Sequence, residues 1–123
     1  MNLTVICVGK LKERFYIDAA AEYLKRLSRY CRLDLIELKE ERLPDAPSPA
    51  QIEAALAKEA AAVRAKIPDN STLAALCVEG SLHSSAALAQ MIANWSTSGS
   101  KRLVFLIGSS YGLHPSLKAQ AQI

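Results

Sequence analysis

Hydrophobic positions fall into two kinds of segment that take turns along the chain. Residues 3–8, 73–78 and 103–107 are short, nearly continuous apolar runs, and 33–38 is a similar run interrupted by Asp34 and Glu37. Runs of this length suit strands, and strands without polar alternation suit a parallel sheet covered on both faces. Between them the apolar positions recur at helical spacing. From about residue 14 to residue 30, Tyr16, Ala20, Tyr23, Leu27 and Tyr30 share one face, while Lys25, Arg29 and Arg32 lie elsewhere around the helix. Residues 39–47 are charged and hold two prolines, which marks a surface loop. Ser48 then caps a second helix, with Pro49 at its first position, Gln51 completing a capping box and Ile52, Leu56, Ala60, Val63 and Ile67 as its stripe. Ser84 or Ser85 caps a third helix with Leu88, Met91, Ile92 and Trp95 on its apolar face, and the polar residues 96–100 end it. Pro115 opens a fourth, on which Leu117, Ala121 and Ile123 read as the start of an apolar face with no stop signal.

Four strands alternating with helices predict one α/β domain over residues 1–123, a parallel sheet flanked by helices. A chain of 123 residues, half of them hydrophobic, builds one core rather than two. The most apolar run, 103–107, is expected at the centre of the sheet with neighbours on both sides, which four strands alone are not expected to supply. The unfinished fourth helix adds the expectation that a further segment follows Ile123. No early apolar run is long enough for a signal peptide or a membrane span, so a soluble, cytoplasmic protein with no membrane partner is expected.

Charge changes this picture locally. The net charge is only +3, yet Lys10, Lys12, Arg14, Lys25, Arg26, Arg29 and Arg32 outnumber Glu13, Asp18 and Glu22 across residues 10–32, leaving the remainder slightly acidic. Such a patch suits phosphate, because each neutralised phosphate releases a counterion, and it suits an ordinary solvated helix equally well. Cys7, Cys31 and Cys77 lack metal-ligand spacing and read as reduced thiols, so no metal is expected.

In open α/β sheets, ligands bind beyond the carboxyl ends of the strands. Two turns there contain glycine, Cys77-Val78-Glu79-Gly80 and Gly108-Ser109-Ser110-Tyr111-Gly112. Taken alone such glycines mark only turns. Neither a GxGxxG fingerprint, a GxxxxGK[ST] loop nor a GxSxG elbow is present. His83 and His114 stand near helix starts and read as caps, Glu79 as a hydrogen-bond acceptor, and Trp95 and the tyrosines as core residues rather than base-stacking platforms.

The order of these pieces carries more than any one of them. Val8-Gly9-Lys10-Leu11-Lys12-Glu13, Ala21-Glu22-Tyr23-Leu24-Lys25-Arg26-Leu27, Leu76-Cys77-Val78-Glu79-Gly80, Ser84-Ser85, Leu88-Ala89 and Phe105-Leu106-Ile107-Gly108 with Gly112-Leu113-His114 together resemble the ribosomal RNA large subunit methyltransferase H family. The resemblance runs over the whole chain. It implies a knotted α/β (SPOUT) enzyme, a homodimer, transferring a methyl group from S-adenosyl-L-methionine to N3 of a pseudouridine in 23S ribosomal RNA. By this carry-over Leu76, Gly80, Gly108 and Gly112 contact the cofactor, and Lys25, Arg26 and Arg29 are candidates for touching RNA. The family's third cofactor loop, in its C-terminal knot segment, has no counterpart here; the resemblance therefore implies weak or lost cofactor binding and activity for these 123 residues, and no catalytic residue is nominated. The family usually has two adjacent glycines where this chain has Gly108-Ser109, a change that costs on the order of 1 kcal/mol if position 109 needs positive φ. The alternative is a non-enzymatic remnant of the fold that binds RNA or protein through its basic first helix. A different small nucleotide-binding enzyme is disfavoured by the missing phosphate loops.

Overall fold

A computed structural model describes residues 1–99 and 102–123. The elements run β1 (Asn2–Val8), α1 (Arg14–Leu27), β2 (Arg32–Leu38), α2 (Pro49–Arg64), β3 (Ser71–Leu76), α3 (Ser85–Thr97), β4 (Arg102–Ile107) and α4 (Pro115–Gln120). The strands form one parallel sheet in the order β2-β1-β4-β3. The expected α/β architecture is therefore present, with β4 placed centrally. The four strands do supply it with neighbours on both sides, β1 and β3, contrary to expectation.

The two faces of the sheet differ. Ile6 and Val8 of β1, Val104 and Leu106 of β4 and Leu73 of β3 point to one face, where Ala60 and Val63 of α2 and Leu113 and Leu117 close a core. Ile6, Val104 and Leu106 have no exposed surface. The capping box forms as read: Ser48 Oγ accepts from the Gln51 N–H at 3.2 Å, and Gln51 Oε1 accepts from the Ser48 N–H at 2.8 Å. The opposite face carries Phe105 and Leu76 together with α3, and neither α1 nor α3 buries a single residue.

That asymmetry overturns the assignment of the tyrosines to the core. Tyr16 is 55%, Tyr23 62% and Tyr30 81% exposed, and α1 ends at Leu27, where the Ser28 hydroxyl donates to the Lys25 carbonyl, rather than reaching Tyr30. Helical spacing brings the Tyr16 and Tyr23 rings onto one side of α1, but among the described residues nothing buries them. Trp95 is half-buried beside Phe105. The third strand ends at Leu76, two residues earlier than its apolar run, because the Gly80 N–H donates to the Cys77 carbonyl and turns the chain. The fourth helix stops at Gln120 and does not continue through Ile123. Ala121 is extended, and the Gln122 N–H and Ile123 carbonyl bond instead to the outer edge of β3, at Leu73 and Ala75. These bonds partner polar groups of an otherwise open sheet edge. The polar stretch read as ending α3 includes Ser100, which lies outside the described residues.

Candidate functional site: a cleft between two strand-end turns

Parallel pairing sets the site. Leu76 and Ile107 are register partners at the carboxyl ends of β3 and β4, so the turns after both strands start side by side. Between them lies an open cleft of about 380 Å³, within the range of small-molecule sites. Leu76, Gly108 and Gly112 line it, with Cys77, Val78 and Tyr111. Gly80 faces away into an adjoining apolar groove of about 690 Å³ under α3, which shares Leu76, Cys77 and Val78 with the cleft and also contains His83 and Ile123. Sequence reasoning thus named four residues, three of which meet at one cleft and one at its neighbour.

The 108–112 turn is tightly folded. Ser109 N–H donates to the Gly112 carbonyl at 3.2 Å and Gly112 N–H to the Ser109 carbonyl at 2.8 Å. This folding presses Gly108 against Gly112: a Cβ on Gly108 would sit 2.3 Å from the Gly112 carbonyl carbon and 2.5 Å from its oxygen. Gly112 itself has φ +83°, a conformation that L side chains rarely adopt. Ser109 needs no such conformation, since among the described residues Asn70 is the one non-glycine with positive φ. The penalty considered for serine at this position is therefore not incurred.

A charged pair stands at the mouth. Lys118 Nζ donates to Glu79 Oε1, which makes Glu79 the acceptor expected. That hydrogen bond is the chief reason the Glu79 carboxyl lies below, and the Lys118 ammonium above, its ordinary pKa. The sign is opposite for the two partners. The pair's contribution is lost as pH falls through the depressed Glu79 value and lost again as pH rises through the raised Lys118 value. Side-chain NMR titration should find Glu79 losing its charge at a lower pH than an ordinary glutamate, and Lys118→Met should move that midpoint up. An unmoved midpoint in the variant would refute the pairing.

His114 caps α4 as expected: its Nδ1 accepts from the Ser116 N–H at 3.1 Å, and its Nε2 lies 2.6 Å from Glu53 Oε1. With Nδ1 accepting, Nε2 carries the proton and donates to Glu53. His83 plays no such part, because Ser84 caps α3. The Cys7 thiol donates to the Ile36 carbonyl at 3.6 Å, and burial pushes its pKa up. No group of three or more His, Cys, Asp or Glu side chains among the described residues could hold a metal.

Lys25, Arg26 and Arg29 are exposed and lie far from the cleft. The α1 helix leads from the carboxyl end of β1 back to the start of β2, so its last turn sits at the opposite end of the strands, about 20 Å away for strands of this length. Arg26 is held there by Glu22 at 3.0 Å and lies over the Tyr23 ring at 5.6 Å.

Comparison with known proteins decides the family. A family model described as "Predicted SPOUT methyltransferase" matches residues 1–123. The chain belongs to this family. Among its relatives, a ribosomal RNA large subunit methyltransferase H from Streptococcus equi subsp. zooepidemicus (strain MGCS10565) is 39% identical over 123 residues, covering 100% of this chain and 77% of the relative. The protein of the same name from Streptococcus uberis (strain ATCC BAA-854 / 0140J) is 39% identical over 121 residues, 98% of this chain and 76% of the relative. As a SPOUT methyltransferase, the chain is of an enzyme class that needs a methyl donor, and the cleft between its strand-end turns is the candidate place for one. No helix of the described residues is long and apolar enough to cross a membrane.

Residues outside the sequence-based set also shape the cleft. Glu59 of α2 is 6% exposed and reaches Ser109. A signal for it existed: it lies four residues from both Ala55 and Val63, on the apolar face of its helix.

Proposed function

We propose that the cleft holds S-adenosyl-L-methionine and that the chain serves methylation of N3 of a pseudouridine in 23S ribosomal RNA. The observation that carries this reading is the convergence of Leu76, Gly108 and Gly112 on one cleft in a chain of the SPOUT methyltransferase family. Leu76 and Val78 offer apolar surface to the adenosyl ring, and the glycine backbone lets a ligand approach without a Cβ in the way. If S-adenosyl-L-methionine were bound there it would supply an electrophilic methyl group, and Leu76, Val78, Gly108 and Gly112 would hold it. Positioning of nitrogen, carbon and sulfur in line is the main contribution asked of the protein. A cytoplasmic homodimer is the setting this reading takes from the family resemblance.

Two turns of an open cleft hold a ligand loosely. Equilibrium dialysis with labelled S-adenosylmethionine should give saturable, one-site retention with a Kd on the order of 0.1–1 mM, about −5 kcal/mol. No saturable retention at millimolar ligand would end the cofactor reading.

For RNA, the α1 cations supply charge at a distance from the methyl donor, so they bear on affinity rather than on base choice. Replacing Arg26 and Arg29 together with alanine should weaken association with a 23S rRNA fragment and lower the slope of log K against log salt by about 1 to 2. An unchanged slope would assign both residues to solvation.

A further inference from the structure

Glu59 is a carboxylate at the edge of the core, with Thr4 the other buried polar side chain among the described residues. An isolated charge in such a place is costly unless its oxygens are hydrogen-bonded. Both are. Oε2 accepts from the Glu41 backbone N–H at 2.9 Å, and Oε1 accepts from the Ser109 hydroxyl at 2.8 Å. Beside it, Glu40 Oε1 accepts from the Ser110 N–H at 3.1 Å. One buried side chain therefore links α2, the loop after β2 and the turn after β4, and a second carboxylate repeats the link from the loop to the turn.

We propose that Glu59 is a positioning residue for the cleft: through the Ser109 hydroxyl it holds the 108–112 turn in the conformation that closes one side of the site. The clamp stands on the geometry of the turn, and its consequence for a ligand rests on the methyl-donor reading above. Gly108 and Gly112 give the turn the freedom it needs to fold so tightly, and the same freedom would let it fluctuate. A turn ordered before binding spares the ligand that ordering cost. Serine at position 109 is then a functional part of this chain, because a glycine there would give Glu59 no hydroxyl to hold.

The test uses the 123-residue chain carrying Glu59→Leu, Glu59→Gln or Ser109→Ala, with two readouts. The first is NMR hydrogen exchange of the Ser110 and Gly112 amides, compared with Val104 and Leu106 in the core of β4. The second is retention of labelled S-adenosylmethionine. Leucine fills the site without burying an unpaired charge, so E59L should keep the β4 amides protected while the turn amides exchange on the order of tenfold faster and ligand affinity falls by a similar factor, the effect of one charge-assisted bond. E59Q should return both readouts to within about threefold of the original, since its amide oxygen accepts from Glu41 and its NH2 donates to the Ser109 oxygen. S109A should loosen the turn alone, and it reads the clamp if E59L fails to fold. Turn amides that exchange at the original rate in folded E59L and in S109A would overturn the clamp, as would E59Q behaving no better than E59L. If the turn loosens as described but the unaltered chain retains no S-adenosylmethionine, the clamp stands and the methyl-donor reading falls.

Discussion

Alanine at position 108 should remove ligand binding at the cleft and destabilise the chain by about 2–3 kcal/mol, the scale of inserting a group where no space exists. The added Cβ would lie 2.3 Å from backbone carbon of Gly112, and backbone cannot step aside as the end of a flexible side chain can. Either the Ser109–Gly112 bonds open or β4 shifts at Ile107. Both move the turn away from Leu76. Gly80→Ala is the matched control: its Cβ would meet the Cys77 carbonyl oxygen at 3.1 Å, which a shift of a few tenths of an ångström relieves. That variant should cost less than about 1 kcal/mol, within the range of ordinary surface changes. Urea denaturation and labelled-ligand retention measure both, and a Gly108→Ala chain as stable as the original would show that the turn is not packed as described.

The second large effect separates the two faces of the sheet. Leu106 is fully buried between β1 and β3 and against the α2 side, so Leu106→Ala should cost about 3–4 kcal/mol, a transfer loss plus a cavity that the packed sheet cannot close. Against a typical stability of about 5–15 kcal/mol this unfolds a large share of the remaining margin. Leu88, on α3, is 38% exposed and borders the apolar groove rather than the core. Leu88→Ala should cost under about 1 kcal/mol, because little contact is lost and water already reaches the site. Equal costs at the two positions would mean that α3 packs as closely as α2, contrary to the burial seen here.

Much of the fold is legible in the sequence where local chemistry and burial agree. Ser48, Pro49 and Gln51 announce the start of α2 because a cap is a local device, and residues 103–107 announce a central strand because nothing polar interrupts them. Reading failed where tertiary context decides. Residues 77 and 78 are as apolar as the strand before them, yet a turn bond at Gly80 ends β3 at Leu76. The tyrosines of α1 have the spacing of a core face, and spacing says nothing about whether an element of the same chain covers that face. Ile123 fits a helical stripe by count, but the chain leaves the helix at Ala121 to bond along β3.

At the site, position was legible and support was not. Strand-end glycines marked Gly108 and Gly112, and their juxtaposition with Leu76 follows from the parallel register of β3 and β4. Gly80 fell on the neighbouring groove because the turn after Leu76 carries it round to the α3 side. Ser109 looked like a liability beside a glycine pattern; the structure gives it non-strained backbone and a bond to Glu59. Nothing in a linear reading joins residues fifty positions apart, so the bond between Glu59 and Ser109 leaves no mark in the sequence.

The proposed place of the adenosyl ligand is between the turns that follow β3 and β4. Amide chemical-shift mapping of the 123-residue chain during titration with S-adenosylmethionine tests it directly. The largest shifts should fall on Leu76 to Glu79 and on Gly108 to Gly112 and should saturate together, with little change at Met1, Asn2 and Trp95 around the hollow at the other end of the strands. Shifts centred on that hollow, or confined to the groove lined by Leu88 and Met91, would contradict it.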